Sequence, residues 1–398
     1  MEKTDVFSLD GEYIASTYAR FGVNIVSGKG SILKDGDGKE YIDLGAGIAT
    51  NVFGACDEIW IKAVTDQLTK IQHASNLYYT DPAPHLARLL CEKTGMKKVF
   101  FCNSGAEANE CAIKTARKWA AEHLGAEYNT VVTLKNSFHG RTLATLAATG
   151  QDVFHRDFLP LTPGFAYAEP NDSADLERVM EENKCAALLI ETVQGEGGVN
   201  VLTDSFVADA AALTKKHGAL LMVDEVQTGN GRCGAMYSYM NYGIAPDVVS
   251  TAKGLGGGLP IGATMFGERT ADVLTPGTHG STFGGNPVCC AGAESVVSRL
   301  DEDLFAAVRK KSEMIFEKLS GKPGITGVHG RGLMIGADVT GDVKAVVRGC
   351  IERGALVLSA KNRVRLTPAL NIPEDVLSRG LDIVATAAAT AAAAAAEA

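Results

Sequence analysis

No two of the nine cysteines stand in a CxxC or other zinc-type spacing, and their number is odd. Neither a metal site nor a disulfide framework is therefore expected. The cysteines read as reduced side chains acting as small hydrophobes in a cytoplasmic protein. Clustered lysine and arginine are also missing, and the formal net charge is −9. That excludes a nucleic-acid stripe and leaves local basic groups to meet small anionic ligands. The opening MEKTDVFSLDGEYIAS is acidic and has no apolar centre, so it does not read as a signal peptide. No window approaches the roughly 18 apolar residues of a membrane span, except the tail ATAAATAAAAAAEA from Ala385. That tail lacks leucine and isoleucine, and alanine favours helix, so a terminal helix or frayed end is expected rather than a membrane partner. No internal repeat is found.

What remains is ordinary soluble composition, 46% hydrophobic and 21% charged over 398 residues, long enough for two domains. Short strand-like runs alternate with helical patterns: 98-KVFFC, 130-TVVTLK, 187-ALLIET, 218-GALLMVDE, 247-DVVSTA and 262-GATMFG. Between them lie 106-AEANECAIKTARKWAAEH and 204-DSFVADAAALTKKHG. Such alternation implies an α/β fold with a mainly parallel sheet, whose ligands collect at the carboxyl ends of the strands. The stretch 31-SILKDGDGKEYIDL reads as a hairpin around DGDGK. Three parts are expected: an N-terminal segment over 1–55 that joins the small domain, a large ligand-binding domain over 56–290, and a smaller α+β domain over 291–398.

The most informative lysine is Lys253 in 248-VVSTAKGLGGGLPIG-262, with four glycines in the next five residues. A P-loop needs its glycines before the lysine, and Leu259 breaks a dinucleotide fingerprint. Alone, Lys253 reads as an ordinary structural or exposed lysine; among small neighbours, burial lowers a lysine pKa and makes a Schiff-base amine possible. Its company decides. Asp224 ends an apolar run, either as a turn carboxylate or as one that needs a cationic partner such as a protonated pyridine nitrogen. In 102-CNSGAEANE-110, Ser104, Gly105 and Ala106 open a helix where backbone N–H groups favour an anion. In 137-SFHGRT-142, Phe138 offers a ring and Arg141 a fork for a carboxylate, while His139 reads more readily as a structural hydrogen-bonder. Each signal is weak alone. A phosphate cup, a ring stack, a counter-ion for a ring nitrogen and an amine for an aldehyde together describe pyridoxal 5′-phosphate. The glycines after Lys253 are expected to let backbone pass close to that bulky cofactor.

On these motifs the chain resembles the class III (omega-amino acid) aminotransferases of pyridoxal-phosphate fold type I, with greatest similarity to the acetylornithine branch. The resemblance runs from 17-TYARFGV to 365-RLTPAL. It is carried by 103-NSGAEANE, 137-SFHGRT, 191-ETVQGEGG, 222-MVDEVQTGNGR, 251-TAKGLGGGLPIG and 279-HGSTFGGNP, with 75-SNLYYTDP pointing to the branch. It departs from the family at 54-GACDEIW, where a glycine-histidine-x-histidine-proline stretch is common, at Thr192, where proline is usual, and in the alanine tail.

The resemblance implies a role at each matching position. Lys253 would bind the cofactor aldehyde covalently, Asp224 would pair with the ring nitrogen, and Gln227 would bond the ring phenolate oxygen. Phe138 would stack on the ring, and Ser104, Gly105 and Ala106 would hold the phosphate. Thr282 would reach the phosphate of a neighbouring subunit, so a homodimer is implied. Arg141 would bind the distal substrate carboxylate and Arg365 the carboxylate next to the reacting carbonyl of 2-oxoglutarate. Glu196 would shield Arg365 during the other half-reaction, with Tyr18 and Ser281 near the substrate. The implied reaction is ping-pong transfer of the δ-amino group of N2-acetylornithine to 2-oxoglutarate, giving N-acetylglutamate 5-semialdehyde and glutamate, a step of arginine biosynthesis. Ornithine, succinylornithine or 4-aminobutyrate as donor, an aminomutase, and an inactive pyridoxal-phosphate-fold binding protein stay open as alternatives.

Overall fold

A computed structural model describes residues 5–397; the first four residues of the N-terminal segment and the last of the tail lie outside that range. The apolar runs become a seven-stranded sheet ordered 98–102, 262–266, 248–251, 220–224, 185–190, 130–134, 165–168. Six strands point the same way, and only Gly262–Phe266 runs against its neighbours. The expected mainly parallel α/β sheet is the one observed. Cys185–Ile190 and Leu220–Asp224 are buried along their whole length, as central strands covered on both faces must be. Alternation divides their side chains between the faces. Ala187, Leu189, Leu220 and Met222 share a core with Cys111, Ala112 and Trp119 of the helix Gly105–His123. Leu188, Ile190, Leu221 and Val223 belong to the larger core on the other side.

The edge strand Phe165–Ala168 has no counterpart among the strands expected from the sequence. Its four residues contain no β-branched side chain and stand between prolines in 160-PLTPGFAYAEP, a pattern that argues for a loop. Pairing with Thr130–Leu134 overrides that local preference.

The expected hairpin forms from Ile32–Asp35 and Glu40–Asp43. Asp35 closes its turn by accepting hydrogen bonds from the N–H groups of Asp37 and Lys39 at 3.0 and 2.9 Å. Glu40–Asp43 then pairs in parallel with Ala355–Leu356, which ties the start of the chain to its last third. Ile325–Arg331, Met334–Val339, Arg363–Leu366 and Leu358–Ala360 form a separate antiparallel sheet.

The alanine tail does not fray within the described residues: Glu374–Glu397 is one helix. By length and composition it is apolar enough to cross a membrane. Leu377, Leu381, Val384 and Ala388, spaced for one face, are nevertheless buried in the core. The 54-GACDEIW departure starts the helix Glu58–Leu68, whose first turn is capped by Asp57 accepting from Trp60 N–H at 2.9 Å.

Strand register brings three polar side chains to one edge. Val223 lies opposite Ile190 and Asp224 opposite Ser250. Glu191, Asp224 and, shortly beyond Thr251, Lys253 therefore emerge together at the carboxyl edge of the sheet.

Candidate active site

A cavity of about 610 Å³ opens at that edge, with Asp224, Lys253, Phe138, Gln227 and Glu196 among its walls. Asp224 is the last residue of its strand and is only 4% exposed. Its Oδ2 accepts from Asn109 Nδ2 at 2.7 Å and from His139 Nδ1 at 2.8 Å, and its Oδ1 accepts from Val226 N–H at 2.9 Å. Asn109 is itself held by Ser250, whose hydroxyl donates to Oδ1 at 2.6 Å. Three donors fix the orientation of this carboxylate. His139 is thus a structural hydrogen-bonder, as its sequence setting suggested, and the group it orients is Asp224.

Lys253 stands two residues past the next strand, Val248–Thr251, with a backbone φ of 44°. The left-handed region disfavours side chains with a Cβ, by roughly 1–2 kcal/mol, so tertiary contacts must impose it, as is common at functional sites. Burial depresses the amine below the ordinary lysine range, Glu196 works against that shift, and Arg365 adds to it. The amine is therefore neutral more of the time than an exposed lysine.

The structure corrects the expectation for the glycines after Lys253. A Cβ on Gly254 would meet Val52 at 2.8 Å, and one on Gly256 would meet the Leu259 carbonyl at 2.2 Å. These glycines let protein approach protein, and of the four only Gly258 borders the cavity.

At the other end of the cavity the helix Gly105–His123 begins. Ser104 caps it, accepting from Glu107 N–H and donating to the Glu107 carboxylate, both at 3.2 Å. Gly105 and Ala106 line the cavity as the first two helical residues, whose N–H groups have no partner inside a helix. Phe138 forms a wall, its N–H donating to Glu191 Oε2 at 2.9 Å. Arg141 is exposed at the mouth, its guanidinium 4.2 Å from the centre of the Phe154 ring.

The last corner is built from two sheets. Arg365, 3% exposed on the strand Arg363–Leu366, donates to Glu196 Oε1 at 2.6 Å and to Gln227 Oε1 at 3.1 Å. Gln227 also donates to Glu196 at 3.3 Å. Burial works to raise the Glu196 carboxyl, but Arg365, Lys253 and Gln227 together hold it below the usual range. The Nε of Arg365 is buried without a partner.

Most residues singled out from the sequence converge here. Lys253, Asp224, Ser104, Gly105, Ala106, Phe138, Gln227, Arg141, Glu196 and Tyr18 all line the cavity, Tyr18 at its rim with 73% exposure. Arg365 reaches it through Glu196 and Gln227. Thr282 and Ser281 are not among its lining residues: Thr282 faces outward, and the Ser281 hydroxyl accepts from Asn103 Nδ2 at 3.2 Å. Sequence reasoning misses Asn109 and Glu191. Asn109 lies four residues after Gly105, on the same helix face. Glu191 ends an apolar run just as Asp224 does, so the same signal marks it. Its carboxyl is pushed up by burial, with Asp224 adding to the shift and His139 opposing it.

Residues 13–388 match the family described as aminotransferase class-III. The chain belongs to that family. It is 43% identical over 387 residues to an acetylornithine aminotransferase of Haemophilus ducreyi, covering 97% of this chain and 98% of that one. A succinylornithine transaminase of Salmonella enteritidis is 41% identical, covering 94% of each. Among solved structures, an ornithine aminotransferase of Toxoplasma gondii superposes with a TM-score of 0.92 at 32% identity, over 97% of this chain and 94% of that one. An N-acetylornithine aminotransferase of Stenotrophomonas maltophilia gives 0.85 at 33% identity, over 98% and 100%. This chain is accordingly an omega-aminotransferase that works with pyridoxal phosphate. The donor set of this aminotransferase suits that group. A neutral-leaning amine would suit the aldehyde, a buried carboxylate with three fixed donors a ring N–H, and a capped helix start the phosphate.

Proposed function

We propose that the protein transfers the δ-amino group of N2-acetylornithine to 2-oxoglutarate, giving N-acetylglutamate 5-semialdehyde and glutamate, within arginine biosynthesis. The observation that carries this reading is the Arg365–Glu196 pair beside Lys253. One substrate bears a carboxylate next to its reacting carbon and the other does not. A buried arginine with its own internal carboxylate serves both: paired, it offers no free cation; released, it forks onto the incoming carboxylate.

Pyridoxal phosphate, when bound, supplies an aldehyde carbon for the amine and a ring that takes up the electron pair left when a C–H proton departs. Lys253 would hold that group through its amine and, when free, would carry the proton from the donor δ-carbon. Asp224, oriented by His139 and Asn109, would pair with the ring nitrogen, and Phe138 would cover one ring face. The N–H groups of Gly105 and Ala106 with Ser104 meet the phosphate, and Gln227 meets the phenolate oxygen. Arg141 receives the distal carboxylate of either substrate at the mouth, next to Tyr18, with Ser281 contributing through Asn103.

A homodimer completes this reading. Asn76 donates to the carbonyls of Ser281 and Gly284 at 3.0 and 2.9 Å, which joins two segments rich in exposed apolar side chains. Leu77, Tyr78, Tyr79 and Phe283 there are 58–103% exposed, beside outward-facing Thr282. Such a patch suits a second copy of the chain, to whose cofactor phosphate Thr282 would donate. We read 56–290 as the large domain and 291–398, joined by the N-terminal segment over 1–55, as the small one, in a cytoplasmic enzyme.

Succinylornithine is the second donor to test, because the Salmonella relative carries that name. Comparing kcat/KM for acetylornithine, succinylornithine, ornithine and 4-aminobutyrate decides among donors. Acetylornithine should lead; a lead by any other overturns the assignment. Product formed without 2-oxoglutarate would favour an aminomutase.

A further inference from the structure

Glu196 sits at the tip of a small hairpin whose strands pair Val193 with Val201 and Gln194 with Asn200. The tip is under backbone strain. Val199, fully buried, has a φ of 58°, a conformation in which a β-branched side chain is an outlier. Strain of this kind persists only where surrounding contacts impose it.

Those contacts come from the other sheet. The Arg363 guanidinium donates to the Gly198 carbonyl and, at 2.9 Å, to Asn200 Oδ1, so it grips the residues on either side of Val199. Its Nε is held by Asp338 Oδ1 at 2.6 Å, on the neighbouring strand. Val199 itself rests over Gly336, where a Cβ would come within 3.0 Å of the Val199 Cβ. Gly336 is the register partner of Arg365. Two residues apart on one strand, Arg363 and Arg365 present the same face. One binds the hairpin backbone and the other binds the carboxylate that the hairpin carries.

We propose that Arg363 is a positioning residue for substrate discrimination: it holds the strained 195–200 hairpin on the small sheet, so that Glu196 stays paired with Arg365 until a substrate with a carboxylate next to its reacting carbon displaces it. Discrimination then needs only a side-chain swing of Glu196, because the hairpin backbone does not withdraw. Without Arg363 the strained tip relaxes, Glu196 leaves Arg365, and an uncovered arginine disfavours the δ-amine donor while still serving 2-oxoglutarate. This inference rests on the roles proposed for Glu196 and Arg365.

The test combines kinetics with amide hydrogen exchange on Arg363→Ala, Arg363→Lys and Asn200→Ala in the cofactor-loaded protein. Displacing a catalytic group by even ~1 Å can change rates by about a hundredfold, and a released hairpin tip should lie in that range. In Arg363→Ala, kcat/KM for the δ-amine donor should fall by about ten- to a hundredfold, with that for 2-oxoglutarate nearly unchanged. Arg363→Lys should restore most of the loss. Asn200→Ala, which removes one Arg363 contact together with the Asn200–Gly197 hydrogen bond of the tip, should act in the same direction. Exchange over 197–200 should quicken in Arg363→Ala. In a Glu196→Gln background, Arg363→Ala should add nothing further, because it acts through Glu196. An equal fall in both half-reactions, additive effects with Glu196→Gln, or unchanged exchange would each overturn the proposal. Failure of the wild-type protein to use any acylated ornithine defeats the functional reading instead; the exchange measurement needs no substrate and still decides whether Arg363 holds the hairpin.

Discussion

The two ends of the cavity are built by opposite means. At the Asp224–Lys253 end every group comes from strand ends of one sheet, or from the loop and helix packed on it. Asp224 takes three donors, and each belongs to the same unit of structure. At the Arg365–Glu196 end the partners come from two different sheets and meet in one ion pair of 2.6 Å. Arg365 there is almost fully buried, and the Glu196 side chain is 29% exposed. The first arrangement is overdetermined, the second exchangeable. On the proposed roles, a group that would pair with a ring nitrogen throughout the reaction gains from rigidity. A cation that must meet two substrates of different charge gains from a partner that can leave, since a buried charge left alone is costly.

Four substitutions break or sharpen that contrast. Lys253→Ala should reduce steady-state turnover by about four orders of magnitude or more, because covalent attachment and proton transfer vanish together. Turnover within tenfold of the parent would remove Lys253 from the mechanism. Asp224→Asn should lower both half-reactions by about 10²–10³-fold. The fall should be equal, since the rigid end serves both substrates alike; a loss confined to one half-reaction would contradict the assignment. Arg365→Ala should behave otherwise. Losing a charge-assisted fork worth about 2–3 kcal/mol should raise KM for 2-oxoglutarate by about 30- to 150-fold. The donor half-reaction should change little, and a symmetrical loss would show that this end is no switch.

The smallest effect concerns stability. Glu225, the neighbour of Asp224, is fully buried and accepts from Thr228 Oγ1 and Tyr239 N–H at 2.6 and 2.7 Å. Burial pushes its carboxyl up from 4.5 to about 7. The folded protein then holds this proton more tightly than the unfolded chain. Its contribution is complete below pH 4.5 and is lost as pH rises through 7. Glu225→Gln should flatten that decline by about 1–3 kcal/mol, read as denaturant midpoints on either side of the transition. Identical pH profiles for parent and variant would show that Glu225 does not titrate there.

The rigid end is also the more legible one. Asp224 follows an apolar run, Lys253 follows another, and Ser104 opens a helix after a third, so period and punctuation alone mark them. Glu191 carries the same mark, but no single role calls for it. Phe165–Ala168 stays hidden because an edge strand between prolines owes its form to its neighbour. The glycines after Lys253 signal in the sequence that something approaches closely but not what, and the approaching group is protein rather than cofactor.

Taken alone, the sequence determined six of the seven strands of the large sheet, the helix start at Ser104 and the carboxylate and amine at strand ends. These follow from local periodicity and capping, which act over a few residues. Its motifs determined the family. Tertiary structure decided the rest: the left-handed backbone of Lys253, the choice of His139 and Asn109 as holders of Asp224, the outward face of Thr282, and the meeting of Arg365 with Glu196. The two members of that last pair are 169 residues apart in the chain. They are joined only because the small sheet folds onto the separate two-stranded hairpin that carries Glu196, a contact that no local pattern encodes.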